Sequence, residues 1–156
     1  MVALEKIKIE ELKDYVKLAF DGDAELLVSL HVSPGDLDHC VDHTMSFISA
    51  NADFYKDDIE FYKVMNDEEP IGFTVIIKNE GPNELYSFGI NILHREKELL
   101  QEWLRKVKEL LGIPYAMVLW SKNTRAINFF EKNGFIVQRT SKLLNDETKT
   151  LIVCDE

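Results

Sequence analysis

Apolar residues recur at helical spacing in several stretches of the chain, and each stretch predicts a helix. Ser33 and Pro34 are typical of a helix start, because serine caps backbone N–H groups and proline fits the first turn. Gly112 and Gly134 are typical of helix ends. The clearest apolar stripe lies in the third helix and consists of Leu100, Trp103, Leu104, Val107 and Leu111. The predicted helices cover about residues 10–20, 34–49, 95–112 and 123–133.

Runs of β-branched and aromatic residues between these helices predict strands. The segments NDEEP and NEGPN separate the second, third and fourth strands, which indicates an antiparallel meander. The helix between the fourth and fifth strands indicates a right-handed parallel crossover. We therefore expect an α/β fold in the order β-α-α-β-β-β-α-β-α-β-β, with a mixed, mostly antiparallel sheet flanked by helices. The predicted strands cover residues 2–9, 59–65, 71–78, 84–93, 115–120, 135–139 and 150–153.

The parallel pair of strands also predicts where a ligand binds. Ligands tend to lie at the carboxyl ends of adjacent parallel strands, where the N-terminus of the crossover helix offers free N–H groups to phosphates. In this chain that position is at about His94 to Lys97, facing Asn123.

Composition narrows the class of protein. The chain has 156 residues, 46% of them hydrophobic and 29% charged, which predicts a single domain over residues 1–156. No apolar run approaches the roughly 18 residues of a membrane span, and two cysteines, Cys40 and Cys154, fit a reducing compartment. We expect a cytoplasmic protein without a membrane partner.

The net charge of −10 is unevenly distributed along the chain. Residues 1–94 carry 19 acidic and 7 basic side chains, whereas residues 95–156 carry 9 acidic and 11 basic ones. The average field repels a polyanion, so we expect no nucleic-acid partner. An anionic ligand is expected to prefer the C-terminal part, and a cationic amine suits the acidic N-terminal part.

The segment LWSKNTRAINFFEKNGF, residues 119–135, resembles the end of the GNAT acetyltransferase superfamily. The predicted element order agrees with that family over nearly the whole chain. The resemblance implies a GNAT-like fold, in which acetyl-CoA lies between the splayed fourth and fifth strands, and acyl transfer from acyl-CoA to a small-molecule or protein amine. Because fold does not fix function, the alternative is a catalytically inactive GNAT-fold binding or complex-associated module that has lost this cofactor chemistry. Short runs such as SFG and WLRK also faintly resemble GNAT-like proteins of tailed phages.

The resemblance implies a set of cofactor-binding residues. The family's pyrophosphate loop, Arg/Gln-x-x-Gly-x-Gly/Ala, aligns with residues 95–100, where the basic residues remain but the glycines do not. Two acids in this turn add bulk and negative charge beside a phosphate, unless they point outward as ordinary first-turn acids. Asn123 and the residues after it can equally be a helix cap and core positions. The implied residues are Ile90, Asn91, Ile92, Arg95, Glu96, Lys97, Glu98, Leu99, Leu100, Asn123, Ala126 and Phe130.

The catalytic candidates lie in the predicted fourth strand. Glu84 and Tyr86 are the nearest matches to a general base, although a lone glutamate is more often a solvated surface residue. The family often has a tyrosine that protonates the departing thiolate where this chain has Phe130, so Tyr86 or Tyr115 is a candidate replacement. Gly89, alone in the strand, predicts a bulge or a close backbone approach.

A histidine pair and the last predicted strand bear on metal binding and on pairing between copies of the chain. His39 and His43 are four residues apart on the second helix, a spacing that can present two imidazoles to a metal. With no recognisable third and fourth ligand, we expect no metal and interpret both as solvated, with Cys40 as a small core residue. The segment KTLIVC, residues 149–154, is expected to be an exposed sheet edge that could pair two copies of the chain.

Overall fold

The computed structural model describes residues 1–23, 36–143 and 146–154. Short 3-10 turns lie at Lys56–Asp58 and Ile92–His94. The helices are α1 (Ile9–Phe20), α2 (Leu37–Tyr55), α3 (Lys97–Leu111) and α4 (Thr124–Lys132). The strands are β1 (Val2–Ile7), β2 (Ile59–Asn66), β3 (Glu69–Ile77), β4 (Asn83–Ile90), β5 (Tyr115–Trp120), β6 (Ile136–Leu143) and β7 (Asp146–Val153).

The strands form one seven-stranded sheet in the order β1-β2-β3-β4-β5-β7-β6. Among the described strands, β4 and β5 pair in parallel and the other neighbours pair antiparallel. The parallel pair arises because α3 carries the chain from the end of β4 back to the start of β5. The predicted α/β fold, its element order and its mixed sheet are confirmed.

Helices cover both faces of the sheet, and each face has its own apolar core. Trp103 and Val107 of α3 and Phe130 of α4 pack on one face. Trp103 Nε1 donates a 3.0 Å hydrogen bond to Thr74 Oγ1 of β3, so this buried hydroxyl is satisfied. The predicted stripe of the third helix is therefore a core stripe. On the other face, α1 and α2 bury Leu12, Val16, Ala19, Phe20, Val41 and Ile48.

Helix α2 differs from its predicted boundaries. It continues past the predicted end at about Ser49 to Tyr55 and ends at Lys56, whose φ is 52°. Its first turn is capped by Asp36, whose side chain accepts a 3.4 Å hydrogen bond from the backbone N of His39. The predicted start at Ser33 and Pro34 lies outside the described residues.

The bulge in β4 lies at Tyr86. Val75 pairs with Ser87 and Ile76 pairs with Leu85, so Tyr86 has no opposite residue on β3. Gly89 pairs regularly with Phe73 of β3, so it is not the bulge. It marks a close approach instead, because a Cβ at this position would lie 2.9 Å from Cβ of Ala19. The glycine lets α1 pack closely on β4, and the bulge comes from the register of the neighbouring pairs.

The last hairpin is arranged differently from the sequence expectation. β7 lies between β5 and β6, so the prediction that residues 149–154 form an exposed edge is wrong. The physical reason is burial, because Leu151 and Val153 of β7 belong to the core whereas Ile136 of β6 is 62% exposed. β6 is the edge strand. A homodimer stays a prediction.

Replacement of Gly89 by alanine is expected to lower the free energy of unfolding by about 1–3 kcal/mol, because the new methyl group overlaps Ala19 and the ring of Phe73. Gly81→Ala is the matched control, since a Cβ there meets nothing within 4 Å. Urea unfolding of both variants gives the comparison. Equal stabilities would contradict the close approach of α1 to β4.

Candidate functional site

The parallel strands β4 and β5 separate soon after they begin. Among the described residues, they pair only at Asn83 with Tyr115 and at Glu84 with Ala116. β4 continues to Ile90 and β5 to Trp120 without further pairing to each other. The two strands therefore form a V-shaped cleft that is closed at Asn83 and opens toward their carboxyl ends.

The structure brings both predicted catalytic residues to the closed end of this cleft. Glu84 is half-buried, so it is not an ordinary surface carboxylate, and burial raises its pKa. Burial, reinforced by Glu84 and Tyr55, raises the pKa of Tyr86 to about 12. The Tyr86 hydroxyl oxygen accepts a 2.7 Å hydrogen bond from Nδ2 of Asn51 on α2.

Both shifts favour the protonated form of the side chain. A glutamate with a raised pKa binds a proton more readily than an ordinary one, which suits a base. A tyrosine with a pKa of about 12 is protonated at neutral pH, as an ordinary tyrosine is, and the raised pKa makes it a weaker acid. Tyr115, the other candidate donor, is 2% exposed and packs edge-on against Phe135 in the core.

The loop after β4 is fastened to α1. Ile90 is buried, and the Asn91 side chain donates a 2.8 Å hydrogen bond to the carbonyl of Leu18. The same side chain accepts a 3.0 Å bond from the backbone N of Leu93. Ile92 is 38% exposed. Asn91 therefore fixes the route of the chain from the cleft wall to α3.

The charged residues in the first turn of α3 are exposed to solvent. Glu96 is the N-cap residue but makes no side-chain cap hydrogen bond. Glu96, Lys97 and Glu98 are exposed, while Leu99 and Leu100 are half-buried and pack against the core. The outward arrangement of the two acids is the one in which they least obstruct the backbone N–H groups of this turn.

Arg95 makes contacts that the sequence did not reveal. Its Nε donates to the carbonyl of Ile90 at 2.8 Å, and its Nη2 donates to Oδ2 of Asp23 at 2.6 Å. Nη2 of Arg125 also donates to both oxygens of Asp23, at 3.1 and 3.0 Å. Asp23 is fully buried. Asp23 is 72 residues from Arg95 and 102 from Arg125, so no local spacing signals this group.

At the other wall, Asn123 caps α4. Its Oδ1 accepts a 3.3 Å hydrogen bond from the backbone N of Ala126, which is half-buried. Phe130 is 1% exposed and lies among the rings of Phe88, Trp103, Phe129 and Phe135. The cap and core interpretations therefore describe these residues, and their contact with a cofactor stays a prediction.

Ser121 Oγ is a feature of this wall that the sequence analysis missed. It follows β5 at the open end of the cleft, and it is buried without a hydrogen-bond partner among the described residues. A buried hydroxyl without a partner is costly, so this atom needs a partner that the described residues do not supply.

The histidine pair on α2 is not part of a larger cluster in the described ranges. The rings of His39 and His43 stack at 6.4 Å, and both residues are exposed. The described residues contain no group of three or more His, Cys, Asp or Glu side chains placed to hold a metal. Cys40 is 1% exposed, and burial raises its pKa to about 11.

Comparison of the chain with solved structures identifies the class of fold. A probable GNAT-family acetyltransferase from Chromobacterium violaceum has a TM-score of 0.73 at 16% identity, over 98% of this chain and 82% of that one. The PaiA N-acetyltransferase from Thermoplasma acidophilum, in complex with coenzyme A, has a TM-score of 0.63 at 18% identity, over 96% and 98%. A chimera of the spermidine N-acetyltransferase SpeG from Vibrio cholerae and hSSAT has a TM-score of 0.61 at 12% identity, over 98% of this chain and 95% of that one.

The chain therefore has the GNAT fold that the resemblance of residues 119–135 implies. No protein-family model and no curated protein sequence matches it. In the described part of the chain, every helix is too short or too polar to span a membrane.

Replacement of Asn123 by alanine is expected to lower the free energy of unfolding by about 0.5–2 kcal/mol, because α4 loses its cap. Asn123→Asp keeps an acceptor oxygen and is expected to stay close to wild type. Asn128→Ala, at an exposed position of the same helix, is the control and should not destabilise. Thermal unfolding compares the three variants, and an Asn123→Ala protein as stable as wild type would contradict the capping role.

Proposed function

We propose that this protein is an acyl-CoA-dependent N-acyltransferase that moves an acetyl group from acetyl-CoA to an amine. The observation that carries the proposal is the cleft between β4 and β5, with the half-buried Glu84 and Tyr86 at its closed end. The GNAT fold agrees with this function but does not by itself establish it.

The described residues fit the parts of acetyl-CoA. The separated strands leave backbone N–H and C=O groups that need partners, and the pantetheine arm carries amides that can supply them. The buried Ser121 Oγ lies at the same opening. The start of α3 offers N–H groups and the exposed Lys97 to the diphosphate, beside loop residues Ile90 to Ile92. Arg95 and Arg125 both bind Asp23 at this opening.

The residues of the closed end then divide the proton transfers between them. The thioester of acetyl-CoA supplies the acetyl group, and an amine nitrogen forms the new C–N bond as the C–S bond breaks. A cationic acceptor first releases one proton to water so that its nitrogen can attack, and Glu84 takes the second proton, which the nitrogen loses as the C–N bond forms. Tyr86 gives its phenolic proton to the departing sulfur, and Asn51 Nδ2 stabilises the resulting phenolate through its 2.7 Å hydrogen bond.

The acceptor is a cationic amine in this proposal. The elements from β1 to β4 form the part of the chain with 19 acidic and 7 basic side chains, which attracts a positive substrate. A structural neighbour is a spermidine N-acetyltransferase, which agrees with an amine of this kind. The direct test is release of free thiol from acetyl-CoA in the presence of polyamines, lysine peptides and neutral primary amines.

Replacement of Glu84 by glutamine is expected to lower kcat/KM by about 10²- to 10⁴-fold, because the base is lost. In wild type, the acidic limb of the pH profile should lie above the range of an ordinary glutamate, since burial raises the pKa of Glu84. The variant should lack that limb. Glu80→Gln, an exposed neighbour in the turn before β4, is the control. An unchanged limb in Glu84→Gln would contradict the assignment.

The stability of the same variant tests the pKa of Glu84 without any substrate. A raised folded-state pKa means that the folded chain holds this proton more tightly than the unfolded chain. Its contribution to stability is present at low pH and is lost as the pH rises through the raised value. Urea unfolding should therefore show Glu84→Gln gaining stability relative to wild type as the pH increases.

Replacement of Tyr86 by phenylalanine is expected to lower kcat by about 10²-fold or more at neutral pH, because the proton donor is removed. The KM for acetyl-CoA should change little. Tyr115→Phe is the comparison, since Tyr115 is a core residue at the closed end of the cleft. A large loss in Tyr115→Phe together with a small one in Tyr86→Phe would assign the donor to Tyr115 instead.

A further inference from the structure

A group of three charged side chains, built around one buried carboxylate, lies at the open end of the cleft. Asp23, Arg95 and Arg125 form it, and we call it the Asp23 cluster. The carboxylate of Asp23 accepts hydrogen bonds from both guanidinium groups, at distances between 2.6 and 3.1 Å. Asp23 has no exposed surface, and a carboxylate in such a place needs paired charges.

The two arginines come from the two opposite walls of the cleft. Arg95 follows the end of β4, and its Nε also binds the carbonyl of Ile90, the last residue of that strand. Arg125 lies in the first turn of α4, which follows the end of β5. The two strands are hydrogen-bonded to each other only at the opposite, closed end among the described residues.

We propose that Asp23 is a positioning residue that fixes the width of the open end of the cleft by binding one arginine from each wall. Backbone pairing holds the walls together at Asn83 and Glu84, and the Asp23 cluster holds them where that pairing has stopped. Asp23 itself comes from a third element, since it follows α1.

The cluster holds the walls more firmly than a surface ion pair would. Surface pairs are worth little because water screens them, whereas removing one partner of a buried pair leaves an uncompensated charge. The side chains of Asp23, Arg95 and Arg125 are 0%, 21% and 42% exposed, so the carboxylate is the most deeply buried member. Loss of Asp23 should therefore free both walls, whereas loss of Arg125 should free one.

The effect of the fixed walls on ligand binding rests on the function proposed above. A preformed cleft binds a ligand more tightly because the ligand does not have to order the walls. The fixing of the walls is independent of that function. It can be measured in the protein without any ligand.

Hydrogen exchange of the ligand-free protein tests whether the Asp23 cluster fixes the two walls. In Asp23→Asn, peptides covering residues 91–99 and 121–129 should exchange at least about tenfold faster than in wild type, while residues 83–86 and 115–118 stay protected. Arg125→Gln keeps the pair between Asp23 and Arg95, and it should accelerate exchange mainly in residues 121–129. This second variant serves if Asp23→Asn fails to fold.

Two control variants separate local opening from general destabilisation. Val64→Ala removes a buried side chain of β2, away from the cluster, and should accelerate exchange throughout the chain. Asp21→Asn removes an exposed charge close in sequence and should change nothing. Uniform acceleration in both cluster variants, as in Val64→Ala, would overturn the proposal, and so would unchanged exchange.

Titration with acetyl-CoA by calorimetry tests the functional consequence separately. Asp23→Asn should bind acetyl-CoA at least about tenfold more weakly than Val64→Ala does, because only the former loses the preformed opening. Equal affinities would overturn the role of Asp23 in ligand binding. Failure of wild type to bind acetyl-CoA would instead contradict the acyltransferase function, and the exchange result would still decide whether Asp23 fixes the walls.

Discussion

Hydrogen bonding between β4 and β5 stops after two residue pairs, and the candidate site exists because of that break. Two parallel strands that remained paired would form a closed sheet with no room for a ligand. Once they separate, the backbone groups on their facing edges need other partners, and an extended chain with amide groups is a suitable one. The bulge at Tyr86 lies directly beyond the break, so this residue has no paired residue on β3. Its hydroxyl binds Nδ2 of Asn51 instead.

The sheet also separates two kinds of environment. The face under α3 and α4 is dense with aromatic rings, including Phe88, Trp103 and Phe130, and even its buried hydroxyl at Thr74 is bonded to an indole. Tyr86 packs on the opposite face, against the core under α1 and α2. In the proposed reaction, the aromatic face supports the elements that hold the acyl donor, and the acidic N-terminal part of the chain attracts the amine.

The sequence predicted those features whose cause is local. The stripe around Trp103 has the helical period, Gly112 ends α3 with a φ of 70°, and Asn123 caps α4, so element order and fold class could be read directly. Features that depend on pairing between distant segments could not be predicted from the sequence. The bulge at Tyr86 follows from the register of β4 against β3. The place of β7 between β5 and β6 follows from the burial of its residues Leu151 and Val153.

The Asp23 cluster is the clearest case of a feature hidden from the sequence. A single aspartate after α1 looks like one more acid in an acidic half, and Arg95 looks like a phosphate ligand of the loop in which it lies. Only the fold brings Asp23, Arg95 and Arg125 within hydrogen-bond distance. The phosphate loop and the cofactor-binding residues around it stay predictions for the same reason, since their role depends on a partner molecule.

Thermal unfolding with and without acetyl-CoA tests the central claim most directly, because it needs no knowledge of the acceptor. At about 100 times its dissociation constant, a ligand of the folded state adds about 2.7 kcal/mol, and each kcal/mol raises Tm by about 2–4 °C in a domain of this size. An acyl-CoA site between β4 and β5 predicts a rise in Tm of several degrees. An unchanged Tm at millimolar acetyl-CoA would contradict it, and would mean that the chain keeps the GNAT fold without its cofactor.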